Sequence, residues 1–170
     1  QRSYSITKDS IEAMLQSGAL NVLYDEGKIT ELEEQGTTIS AKDKKKLDKY
    51  YDNKPIVDAI VNALNNAESD KKYLSPSEFI PVLNSILSDI TNDKKLIEKI
   101  ADGLSVMDKS AEIQRVEKGK NKGDIIYDKT TKDTEIVKWD DNIEDYMARE
   151  VLPHVPDAQW FWEEDLNKSK

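Results

Sequence analysis

Up to Leu104 the apolar residues of this chain recur three and four positions apart, and that period constrains the fold more than any other feature. Ile56, Val57, Ile60, Val61 and Leu64 make one such stripe, and Leu96, Ile97, Ile100, Ala101 and Leu104 make another. Residues so spaced share one face of an α-helix, and that face has to be buried against a neighbour. Only 37% of residues are hydrophobic while 35% are charged, so the apolar side chains must be concentrated on a few faces. Five prolines and six glycines leave long stretches uninterrupted. The expected fold is mainly α, a helical domain of about six helices.

Start and stop signals place the elements. Ile6, Ile11, Met14, Leu15, Val22 and Leu23 keep helical spacing, and with Thr7 or Asp9 as a cap they predict a first helix over about 7–17, broken by Gly18. A second helix is expected from Ala19 to Gln35, weakened by Gly27. Ser40 with Asp43 three residues on reads as a capping-box variant that opens a lysine-rich helix to about Tyr51. Pro55 fits the first turn of the next helix. Ser75, Pro76 and Glu78 open another, running to about Ile90, in which Pro81 is awkward but near enough to the first turn to be borne. Asn92 is the expected cap of the helix that closes near Gly103.

After Ser105 the pattern changes to short alternating runs, 112–116 and 124–127, joined by KGKNKG, which predicts one small β-hairpin over 112–127. Asp141 with Glu144 then starts a short helix with Ile143, Tyr146 and Met147 inward, and Pro153 and Pro156 are expected to keep the chain extended beyond it. The resulting organisation is a helical domain over 1–106, with the hairpin, short helix and Pro/aromatic tail of 107–170 packed on it. Internal repeats and low-complexity linkers are absent.

Several function classes are disfavoured. A net charge of −9 argues against a free-standing domain that grips a phosphate backbone, although local basic patches remain. Without cysteine there is no disulfide, thiolate catalysis or cysteine-ligated zinc. No apolar run reaches the roughly 18–20 residues of a membrane span, and the N-terminus lacks the apolar stretch of a secretory signal, so a soluble, cytoplasmic protein is expected. A chain that begins at Gln1 rather than methionine is expected to come from a longer protein.

Candidate motifs are few. There is no GxGxxG, Walker-type loop, HExxH or GxSxG, so no catalytic, cofactor-binding or metal-binding residue is assigned. Asp52 to Pro55 (DNKP) lacks the second proline and the aromatic residue of a base-holding tetrapeptide and reads as a helix-start turn. His154, the single histidine, sits between two prolines without an identifiable nucleophile or orienting group, so a structural role is the better reading. Lys42, Lys44, Lys45, Lys46 and Lys49 are interspersed with Asp43 and Asp48 and read as a solvated helix face. Lys118, Lys120 and Lys122 carry more weight as a possible DNA-phosphate contact, because glycines let their loop approach a surface, yet an exposed turn remains the default. Trp160, Phe161 and Trp162 follow a Pro-rich segment; if it is extended the two tryptophans share one side and can anchor a partner, and the alternative is that all three are buried.

From Asp124 to Glu164 the chain resembles the tail of the modification subunit of type I restriction-modification systems. The resemblance rests on DIIYDKTTKDTEIVKW and REVLPHVPDAQWFWEE: Asp133, Thr134 and Glu135 before a helix, then Arg149, Glu150, Val151, Leu152 and Pro153, then Pro156, Asp157 and Ala158. Lys132 stands where the family often has arginine, Lys138 where it often has proline, and the family's usual glycine-containing strand and Phe-Thr-Arg ending do not follow. QRSYSI at the start is similar to the segment that leaves the catalytic domain.

The resemblance implies an adenine-specific DNA methyltransferase subunit that uses S-adenosylmethionine, with a specificity subunit as partner and, for cleavage, a restriction subunit. It places methyl transfer upstream of this tail. The segment itself is then expected to be inactive and to dock on the specificity subunit, helping to close the complex around DNA, with Trp160, Phe161, Trp162 and Arg149 as candidate partner contacts. A stand-alone helical adaptor or regulatory module is the competing reading.

Overall fold

The computed structural model of the chain describes residues 1–127, 133, 136–138, 141–156 and 158–160. It is mainly α with a small antiparallel sheet, and it divides into two compact units, Gln1–Asp128 and Lys129–Lys170. The first unit runs β1 (Arg2–Ile6), α1 (Lys8–Gln16), α2 (Glu26–Glu33), a short 3-10 turn (Gly36–Thr38), α3 (Ala41–Asn66), β2 (Ser69–Tyr73), α4 (Pro76–Leu87), α5 (Lys94–Gly103) and β3 (Ser105–Met107).

The sheet, in the order β2-β1-β3, is what the helical reading missed. β1 pairs antiparallel with both neighbours, Tyr4 opposite Tyr73 on one side and Ser3 opposite Val106 on the other, with an irregularity between Ser5 and Ile6. Ile6, counted above with the first helix, belongs to β1, where it and Tyr4 are buried on one face. β2 is SDKKY, almost wholly exposed at the edge of the sheet; such a strand shows no apolar alternation, and its lysines blunt an otherwise open edge.

α1 begins as expected: Thr7 Oγ accepts the Ser10 amide at 3.2 Å while Ser10 Oγ accepts that of Thr7 at 2.9 Å, a reciprocal cap. Gly18, at φ 74°, stops it in the left-handed conformation that a glycine takes at little cost. The second helix is shorter than its apolar pattern predicts. Residues 19–23 form turns that still bury Ala19 and Leu20, and Asp25 restarts the helix by accepting the Lys28 amide at 3.0 Å.

The largest correction concerns Pro55. The two helices expected on either side of it are one, α3, 26 residues long. Pro55 and the DNKP turn lie inside it, where proline removes one backbone hydrogen bond but leaves the rest of the ladder to carry the helix. Burial of Val57, Ile60 and Leu64 fixes the half after the proline, and Ser40 caps the start through the Asp43 amide at 3.1 Å.

Two further caps depart from the expected pattern. Asp93 rather than Asn92 caps α5, its Oδ1 accepting from Lys95 and Leu96 amides. Ser75 precedes α4 but makes no side-chain cap bond; its hydroxyl meets Ser77 Oγ at 3.0 Å, and Glu78 accepts from the Leu74 amide instead. α4 ends at Leu87, three residues early, and carries Pro81 within it.

The core lies between the sheet and α1, α3, α4 and α5. Phe79 is fully buried between two tyrosines, stacked on Tyr4 with ring centroids 5.2 Å apart and tilted against Tyr73 at 5.3 Å. Met14, Ile60, Leu64, Leu83, Leu87 and Ile100 complete it, each without exposed surface. Beyond β3, Asp108 ties the sheet together: it pairs with the Lys72 ammonium of β2 and accepts from the Ser110 amide and hydroxyl at 2.9 and 2.6 Å. These donors, Lys72 first, hold its carboxyl far below the usual carboxylate range.

The hairpin forms around a single antiparallel bridge, Arg115 to Ile125, extended by Val116 N to Asp124 O at 2.9 Å and Ile126 N to Gln114 O at 2.8 Å. In the second unit the described residues include α6 (Ile143–Tyr146), followed by a π-helical turn, Met147–Val151. Asn142, not Asp141, caps α6.

Candidate partner-docking site

The tail site is built on the π-helical turn. The Leu152 amide reaches back five residues to the Met147 carbonyl at 2.8 Å, and the widened turn comes just before Pro153, which has no amide to continue the ladder. Contrary to the expected extended exit, the turn continues: His154 and Val155 amides both bond the Val151 carbonyl, and Ala158 bonds that of Val155. Pro153 therefore terminates the ladder gradually and folds the chain back.

This return leaves an open depression of about 430 Å³ lined by Glu144, Met147, Leu152, Ala158, Gln159 and Trp160. Met147 is buried, whereas Leu152, Val155 and Trp160 are 36%, 49% and 41% exposed. A large aromatic side chain lining a depression with Leu152, both partly open to water, has the composition of an interface anchor. Of the predicted aromatic trio Trp160 is described and exposed, whereas Phe161 and Trp162 lie outside the described residues.

Arg149 projects from the same turn and is engaged within its own unit. Its Nη2 donates to Asp141 at 3.1 Å and its Nε to Glu150 at 2.8 Å, and the two carboxylates, Glu150 first, raise its pKa further. Two of the guanidinium's donors are thus committed, and the head remains half-exposed. Asp141 lies eight residues from Arg149, a spacing that no helical pairing rule would have flagged. Leu152 and Val155 were missed too; their signal was apolar side chains alternating with proline in an otherwise polar tail.

His154 is exposed, and the structure brings no nucleophile to it among the contacts described. Lys118, Lys120 and Lys122 are exposed on the hairpin loop, where Gly119 and Gly123 adopt φ 90° and 96°, and Arg115 braces the loop by donating to the Gly123 carbonyl at 2.8 Å. The depression beside that loop is lined by Arg115, Asn121, Asp124, Ile125 and Tyr127 with Val116 and Gly123, not by the three lysines. Among the described residues no acidic or histidine group could hold a metal ion, and no helix is long and apolar enough to cross a membrane.

Comparison with protein-family models, with curated proteins and with solved structures finds no match to this chain.

Proposed function

We propose that this chain is the C-terminal assembly segment of the modification subunit of a type I restriction-modification system. The observation that carries the reading is the string running from Asp133, Thr134 and Glu135 through Arg149–Pro153 to Pro156, Asp157 and Ala158. In this reading the parent protein is an adenine-specific DNA methyltransferase acting in the cytoplasm with S-adenosylmethionine, and methyl transfer is carried out by parts of it outside these 170 residues. The segment docks on the specificity subunit, meets the restriction subunit in the assembled complex, and reaches DNA through that assembly.

The tail geometry supports the docking role. Trp160 and Leu152 line one depression with buried Met147 and Val155 is exposed, while Arg149, Glu150 and Asp141 form a charged neighbourhood on the same unit. Apolar anchors with a polar surround are the usual anatomy of a protein interface. The test is co-expression of the chain with the specificity subunit of the type I system from the same source. A stable complex, together with no calorimetric heat on adding S-adenosylmethionine to the chain alone, is the expected result. Failure to co-purify would reject the docking role in favour of a stand-alone adaptor, and micromolar cofactor binding would reject the division between docking segment and catalytic part.

A further inference from the structure

Because α3 is one helix, its lysine-rich first half and its buried second half share one axis. At 100° per residue, Lys42, Lys45, Lys46 and Lys49 fall within an arc of about 100° and span about 10 Å of the axis. Asp43 and Asp48 lie outside that arc. All four lysines are exposed. Further along the same face the helix buries Val57, Ile60 and Leu64, so a stripe that is core in the second half becomes lysine in the first.

The fold makes no evident use of these charges. Among the described residues no carboxylate forms an ion pair with any of the four, whereas Lys28, Lys54 and Lys72 are each paired. The one recorded contact is Lys46 over the ring of Tyr50 at 5.9 Å. Like charges three and four apart repel along a helix, and cations in its first turns oppose the positive end of the dipole.

We infer that this face of α3 binds the phosphate backbone of a double-helical nucleic acid. The partner is chosen by what the stripe contains. Lysines act as mobile point charges suited to phosphate, while protein interfaces are depleted in lysine and enriched in aromatic and arginine side chains, none of which lies in the stripe. Seating a helix in an anionic membrane takes an apolar face beside the lysines. Here α2 packs along another side of α3, where the Tyr51 hydroxyl donates to Glu33, and between Lys42 and Lys49 the stripe itself holds no apolar side chain. Binding to single strands would call for a row of stacking aromatics, which is also lacking. The inference stands independently of the docking role proposed for the tail.

The test is a titration of the 15N-labelled chain with a short DNA duplex and, separately, a short RNA duplex, at low ionic strength. Backbone resonances of residues 41–50 are expected to shift with at least one duplex, and the more effective one identifies the natural backbone. Affinity should fall as salt rises, with a log–log slope of up to about −3.6 for four phosphate contacts. Combining Lys42→Gln, Lys45→Gln, Lys46→Gln and Lys49→Gln should abolish the shifts, while Lys118→Gln, Lys120→Gln and Lys122→Gln together should leave them in place. Shifts confined to the hairpin, none in α3 with either duplex, or undiminished shifts in the fourfold variant would each overturn the inference. The wild-type shift map decides the matter even if the fourfold variant folds poorly.

Discussion

Replacing Gly103 with alanine tests whether the packing of α1 against α5 is as close as the structure has it. Gly103 is the last residue of α5, and a Cβ placed there would lie 2.7 Å from Met14 Cγ and 3.1 Å from both Met14 Cα and Cβ. The thioether arm could rotate away in an open site, but Met14 is fully buried and its Cα is backbone, so α1 itself has to move. Overpacking of this kind costs about 1–3 kcal/mol. Helix propensity works in the opposite direction by at most about 1 kcal/mol, and by less at a helix end. The variant should therefore lose about 1–2 kcal/mol. Gly27→Ala is the internal control: its Cβ meets only Asp25 Oδ1, at the ordinary distance of 3.5 Å, so it should be neutral or slightly stabilising. Urea titrations followed by circular dichroism should place the midpoint of Gly103→Ala below wild type and that of Gly27→Ala at or above it, with equal slopes. A Gly103→Ala protein as stable as wild type would refute the close approach.

Two other substitutions probe the first unit. Phe79→Ala removes the ring held between Tyr4 and Tyr73 and should cost about 3–5 kcal/mol in the same assay; a loss below 1 kcal/mol would mean that this aromatic layer is not the centre of the core. Asp108→Asn should alter the acid limb of stability. The folded carboxyl titrates below its unfolded value of about 3.9, so its contribution is present above that pH and is lost as pH falls below it. Wild type should thus lose stability more steeply than Asp108→Asn below about pH 4, and parallel acid limbs would show that the Lys72 pair contributes nothing.

Much of the helical body was legible because its signals are local. Thr7 caps α1 and Leu96, Ile97, Ile100 and Ala101 are buried along α5, as period and capping chemistry predict. What could not be read is instructive. Pro55 is a sound helix-start signal taken alone, and only burial of Val57, Ile60 and Leu64 on a continuous helix overrides it. β2 is SDKKY, a strand by virtue of its partner β1 rather than its own composition. Ser75 has the sequence of a capping residue, yet its hydroxyl is turned to Ser77. At the tail, the exposed aromatic side chain was visible in Trp160, but the π-helical turn and the Arg149–Asp141 pair depend on backbone geometry that no spacing rule encodes.

The docking role proposed for the tail is tested most directly by the dissociation constant of the chain with the specificity subunit of a type I system, measured for wild type and for Trp160→Ala combined with Trp162→Ala. An anchoring tryptophan contributes about 2 kcal/mol or more to an interface, so the double variant should bind at least about 30-fold more weakly while keeping its helical signal. Equal affinity of the two proteins, or no measurable affinity in wild type, would contradict the account.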